Sequence, residues 1–112
     1  MKDRDFTYIE RMYVFAKRVE RRIAEVSLES FLEDEDIQDL ILYAIGQIGE
    51  NANAISDEER ERHNDILWDA LIGIRNRVFH SYGDIDMKIV YEAAKEHTPK
   101  LISQLQSIIG TK

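Results

Sequence analysis

Apolar residues recur every three or four positions along almost the whole chain, and no stretch sustains the alternation of a half-buried strand. In the first segment Ile9, Met12, Tyr13, Ala16, Val19 and Ile23 form one stripe, with Glu10, Arg11, Lys17, Arg18, Arg21 and Arg22 mainly away from it. This pattern predicts an amphipathic helix over about residues 5–26. Ser27 to Ser30 reads as a connection. The acidic run Glu33-Asp34-Glu35-Asp36 suits the positive end of a helix dipole. A second long helix then follows, marked by Ile37, Leu40, Ile41, Ala44, Ile45, Ile48, Ala52 and Ile55. Gly46 and Gly49 fall on similar faces inside it. Each costs about 1 kcal/mol against alanine, which is reasonable where another backbone packs closely.

Ser56-Asp57-Glu58-Glu59 has the capping-box arrangement and predicts a short charged helical turn through His63. Asn64 or Asp65 is then placed to cap a third main helix carrying Ile66, Leu67, Leu71, Ile72 and Ile74. It is expected to run to Ser81, with Gly83 as its stop. Asp86 caps a fourth helix with Ile89, Val90, Ala93 and Ala94 along one side. Thr98-Pro99 is expected to interrupt it, because proline fits a first turn better than an interior. Leu101, Ile102, Leu105, Ile108 and Ile109 would form the apolar face of a last stretch. The sum is an all-α, four- to five-helix up-and-down bundle, expected as one domain over residues 1–112.

Composition narrows the setting. A chain of 112 residues with 44% hydrophobic content can bury a core, yet it is small enough for dimerisation to add stability. It has no cysteine, hence no disulfide framework and no thiolate metal site, which suits a reducing cytoplasm. The charged start Met1-Lys2-Asp3-Arg4-Asp5 does not read as a signal peptide. No apolar run approaches the ~20 residues needed to span a bilayer, so a soluble protein without a membrane partner is expected. The formal charge of −7 opposes bulk attraction to RNA or membrane. A nucleic-acid role would need a local basic site or a basic partner surface.

Most candidate chemistry is absent. His63, His80 and His97 share no ligand spacing, so neither a metal nor a cofactor is expected, and His63 and His97 read as solvated. No phosphate loop, nucleophile elbow or dinucleotide fingerprint occurs. One stretch differs: Ile72-Gly73-Ile74-Arg75-Asn76-Arg77-Val78-Phe79-His80-Ser81-Tyr82. Around an ideal helix Arg75 and Tyr82 are about 20° apart, whereas His80 lies about 140° from Arg75. A long arginine arm, distortion near Gly83, or a second copy of the motif across a dimer axis could reunite them. Histidine can move the 2′-hydroxyl proton of RNA or protonate the leaving oxygen, and arginine can hold a phosphate and its developing charge. Asparagine can orient either. Arg77, about 200° from Arg75, would reach solvent or a partner. The residues alone fit a plainer reading better, with Arg75 and Arg77 as C-terminal dipole partners and His80 as a cap.

The string Arg75-x-x-x-x-His80-x-Tyr82 resembles the signature of HepT-like HEPN toxins, and its surroundings resemble the family too. Trp68 and Ile72-Gly73 precede the arginine, Asn76 follows it, and Gly83-x-x-Asp86 follows the tyrosine. Ile45-x-x-Ile48-Gly49-Glu50-x-Ala52 and Thr98-Pro99 are also similar, so the likeness covers nearly the whole chain. Leu67 stands where many relatives carry proline, which leaves the start of the third helix open. The resemblance implies a dimeric helical ribonuclease, metal-independent, acting on transfer or messenger RNA as the toxin of a toxin–antitoxin pair. Arg75 would bind phosphate, His80 would act as general acid or base, and Asn76 would support them. The implied antitoxin is a minimal nucleotidyltransferase that silences the toxin by AMP transfer to Tyr82. The alternative is a non-catalytic helical binding partner of such a nucleotidyltransferase.

Overall fold

A computed structural model describes residues 1–80 and 82–111; the side chain of Tyr82 lies outside the described part. The structure is all-α, with α1 (Asp3–Ala24), α2 (Leu28–Glu33), α3 (Glu35–Ala54), α4 (Asp57–Arg62), α5 (Trp68–His80) and α6 (Met87–Gly110). A single 3-10 turn, Tyr82–Asp84, separates the last two. The four long helices make the bundle, with α3 packed between α1 and α5, and α1 between α3 and α6. The expected stripe of α1 is the buried one: Ile9, Met12, Ala16, Val19 and Ile23 are at most 3% exposed.

Where local patterns were too short to show a period, the structure departs from expectation. The predicted connection at Ser27 to Ser30 instead opens α2, whose Ser27 hydroxyl accepts from the Ser30 amide and whose Phe31 is fully buried. Asp34 caps α3 by accepting from the Ile37 amide, and Asp86 caps α6 by accepting from that of Lys88. The third main helix begins at Trp68 rather than Asn64 or Asp65. The buried Trp68 indole donates to the carbonyls of Arg60 and His63, holding the intervening residues as turns, while Leu67 is 72% exposed. The expected break at Thr98-Pro99 is also corrected, because α6 is continuous through Pro99. Proline costs the bond to the carbonyl of Lys95, but both residues are exposed, where water can take that carbonyl. Ala94 and Thr98 before the proline and Ile102 and Leu105 after it are all buried, so packing on both sides holds the helix together.

One polar contact ties the two ends of the α1–α3 pair. Asp5 is buried, and its carboxylate accepts from the Ser56 amide at 3.0 Å and the Ser56 hydroxyl at 2.7 Å. The capping box is therefore half-formed. Ser56 does accept from the Glu59 amide, but its own N–H goes to Asp5, and the Glu59 carboxylate turns to Arg62 and His63. His63 is thus not simply solvated. Burial pushes the Asp5 pKa up, and the two Ser56 bonds, with the charges of Lys2 and Arg4, outweigh it and hold the pKa below its ordinary 3.8.

The expected close backbone packing is found at Gly49 but not at Gly46, which faces side chains only. A Cβ on Gly49 would lie 2.4 Å from Arg75 Cβ and 2.6 Å from the Leu71 carbonyl oxygen. On Gly46 it would meet only the Phe79 ring tip at 3.3 Å and Val78 at 3.4 Å. Among the described residues, no helix is long and apolar enough to cross a membrane.

Two outcomes follow from this packing. Gly49→Ala should lower stability by about 1–3 kcal/mol, the usual range for overpacking. Gly46→Ala should be near neutral, since the half-exposed Phe79 ring can yield and alanine favours the helix by about 1 kcal/mol; equal thermal midpoints for the two variants would contradict this packing. A carboxylate with a lowered native pKa stabilises the fold above its unfolded pKa and loses that contribution as pH falls through the native value. Asp5→Asn should therefore be less stable than the parent at pH about 6, with the gap in urea midpoint closing below about 3.8. A gap independent of pH would exclude this role for Asp5.

Candidate functional site

Antiparallel packing of α5 on α3 sets the geometry. Gly49 lets the α5 backbone come close enough that Arg75 leaves the seam sideways and crosses the edge of α3. There its Nε donates to Glu50 Oε1 at 2.6 Å, and its Nη1 donates to Asn76 Oδ1 at 2.7 Å. The guanidinium also lies over the Phe79 ring, 5.5 Å from its centroid. Three restraints thus hold a side chain that is about one-quarter exposed, and among the described residues Nη2 has no partner. A planar cation fixed at two corners, with the third left unpaired among the described residues, suits a phosphate oxygen.

His80 ends α5 and is exposed. Among the described residues no hydrogen bond or ion pair joins it to Arg75, as the 140° separation anticipated. Asn76 stands between them. It bonds Arg75 on one side and sits one turn before His80 on the outward face of α5. That face is the row Asp69, Gly73, Asn76 and His80, and a Cβ on Gly73 would meet nothing within 4 Å. Arg77 is exposed, as expected, and borders a separate apolar groove lined by Leu42, Ile45, Ile74, Val78 and Ile89. The Tyr82 side chain, the expected modification site, lies outside the described residues.

Glu50 is the member of this cluster that the sequence did not single out as a partner. Its signal was present in the Gly49-Glu50 pair: the glycine admits Arg75, and the next residue supplies the carboxylate that orients it. No group of three or more potential metal ligands occurs among the described residues.

The family described as "Ribonuclease HepT-like" matches residues 12–108. Among similar proteins, "Putative RNase TTE0752" of Caldanaerobacter subterraneus subsp. tengcongensis is 24% identical over 102 residues, covering 91% of each chain. "Probable ribonuclease HepT" of Thermococcus cleftensis is 25% identical over 101 residues, covering 90% of this chain and 92% of that one. No solved structure matches significantly. With nearly its whole length matched and its helical architecture in agreement, the chain belongs to the HepT-like ribonuclease family.

Proposed function

We propose that this single-domain protein is the toxin of a toxin–antitoxin pair and cleaves transfer or messenger RNA in the cytoplasm without a metal. The observation that carries this is the restrained Arg75 guanidinium, whose Nη2 has no partner among the described residues, one asparagine away from an exposed histidine. In the proposed reaction Arg75 holds the scissile phosphate and the charge that develops on it. His80 takes the 2′-hydroxyl proton or returns one to the leaving oxygen, and Asn76 keeps the arginine turned outward.

The two groups diverge on one helix, so the working site is proposed to form in a homodimer. Gly73 lies bare in the outward row with Asn76 and His80, which favours close approach of the same face of a second copy. Tyr82 follows His80 by two residues and opens the 3-10 turn just beyond the end of α5. AMP placed there by a partner nucleotidyltransferase would put a negative phosphodiester where the RNA phosphate must bind.

Arg75→Ala and His80→Ala should each remove cleavage by a factor of about 10²–10⁴ while circular dichroism stays unchanged, and chelator should have no effect. Cleavage surviving in a folded His80→Ala variant would overturn the assignment, and intact RNA with the parent chain would favour the binding-partner alternative. Light scattering should give a dimer at micromolar concentration, and Gly73→Arg should yield a monomer. Incubation with the nucleotidyltransferase and ATP should place AMP on Tyr82 by mass spectrometry and silence cleavage; silencing that persists in Tyr82→Phe would refute that regulation.

A further inference from the structure

The chain is acidic, so RNA must be held by a local cationic surface, and α1 carries one outside the Arg75 site. This helix has six Lys/Arg against four Asp/Glu in a chain of net charge −7, and one of those acids, Asp5, is buried. Its arginines are not scattered. Arg4, Tyr8, Arg11, Phe15 and Arg18 follow one another at alternating steps of four and three, a spacing that confines them to about 80° of arc. Cation and ring therefore alternate along one edge of the helix.

The side chains are stacked accordingly. The guanidinium carbons of Arg4 and Arg11 both lie 5.8 Å from the Tyr8 centroid, and that of Arg18 lies 5.0 Å from the Phe15 centroid. None of the three arginines takes part in an ion pair among the described residues, and all are exposed. A guanidinium resting on a ring keeps its N–H edge turned outward and loses less freedom on binding than a free arm.

The ridge also faces the right way. Phe15 packs edge-on against the exposed Tyr43 of α3, with centroids 6.0 Å apart. Tyr43, Gln47 and Glu50 share the solvent side of α3, and Glu50 is the residue that holds Arg75. The Phe15–Tyr43 and Asp5–Ser56 contacts fix α1 antiparallel to α3, which brings Tyr8 and Arg11 level with Gln47 and Glu50. The ridge thus runs beside Arg75, with one helix between them.

We infer that the alternating Arg4-Tyr8-Arg11-Phe15-Arg18 edge of α1 binds single-stranded RNA and feeds it toward Arg75. The inference rests on the ribonuclease reading above. Arginine planes and rings stack bases without regard to sequence, and the outward N–H edges hold phosphates. An unpaired strand is favoured over a duplex because stacking needs free base faces.

Fluorescence anisotropy with a labelled 2′-O-methyl oligonucleotide, which cannot be cleaved through its 2′-oxygen, measures binding apart from cleavage. The oligonucleotide should bind more tightly single-stranded than as the matching duplex. Arg11→Gln and Arg18→Gln should each weaken it and lower the salt slope by about 0.7, one phosphate contact. Arg21→Gln, the same charge change off the ridge, should leave binding unaltered. On cleavable RNA the ridge variants should raise KM and spare kcat, whereas His80→Ala should lose kcat yet still bind the methylated strand. Ridge variants that bind like the parent or like Arg21→Gln, or a preference for duplex, would overturn the ridge even with His80 essential. Cleavage that survives His80→Ala would overturn the catalytic reading while the binding measurement still decides the ridge.

Discussion

The contact of α5 with α3 over Gly49 is the constraint on which the candidate site depends. Two helices normally stand 8–10 Å apart because their side chains keep them there. At Gly49 nothing stands between the α3 backbone and the Cβ of Arg75, and a methyl group would collide with both Arg75 and the Leu71 carbonyl. The long arginine arm therefore starts at the seam itself and emerges on the α3 edge within reach of Glu50. A bulkier residue would move α5 outward and take Arg75 away from that carboxylate.

Around this contact the bundle divides into a more deeply buried part and a site-bearing part. The α1–α3–α6 side is locked by buried apolar stripes, by Asp5 on Ser56, and by the Tyr91 hydroxyl donating to the Val26 carbonyl at 2.7 Å. The α5 side rests mainly on α3 and is pinned at its start by the Trp68 indole. In its outward row Asn76 and His80 are exposed, and a Cβ on Gly73 would meet nothing within 4 Å. Polar chemistry is thus concentrated on the element with least burial, where desolvation penalises charged groups least.

Charge is arranged on the same logic. Most acids cap helices or face solvent, while the arginines of α1 lie on rings and Arg75 lies on Phe79. On α1 the rings hold the guanidinium groups with no carboxylate ion-paired to them among the described residues. Arg75 is instead held by the Phe79 ring and by the Glu50 carboxylate, which leaves its Nη2 without a partner among the described residues.

The sequence by itself determined the all-α class, most positions of the buried stripes and the caps at Ser56 and Asp86, because these depend on neighbours within a few residues. It also isolated Arg75, Asn76 and His80 as unusual polar groups on an apolar helix and gave their angular separation, since a helix has a fixed pitch. It could not show α2, too short for a period, nor the start of α5 at Trp68, which hangs on carbonyls of the preceding turns. Nor could it show the survival of α6 through Pro99, where buried residues on both sides outweigh one lost backbone bond. Tertiary structure alone decided that Glu50 holds Arg75, and that Asp5 takes the Ser56 amide a capping box would have given to Glu59. Those pairings join residues 25 and 51 positions apart, and such partners are chosen by how whole helices pack rather than by any local pattern.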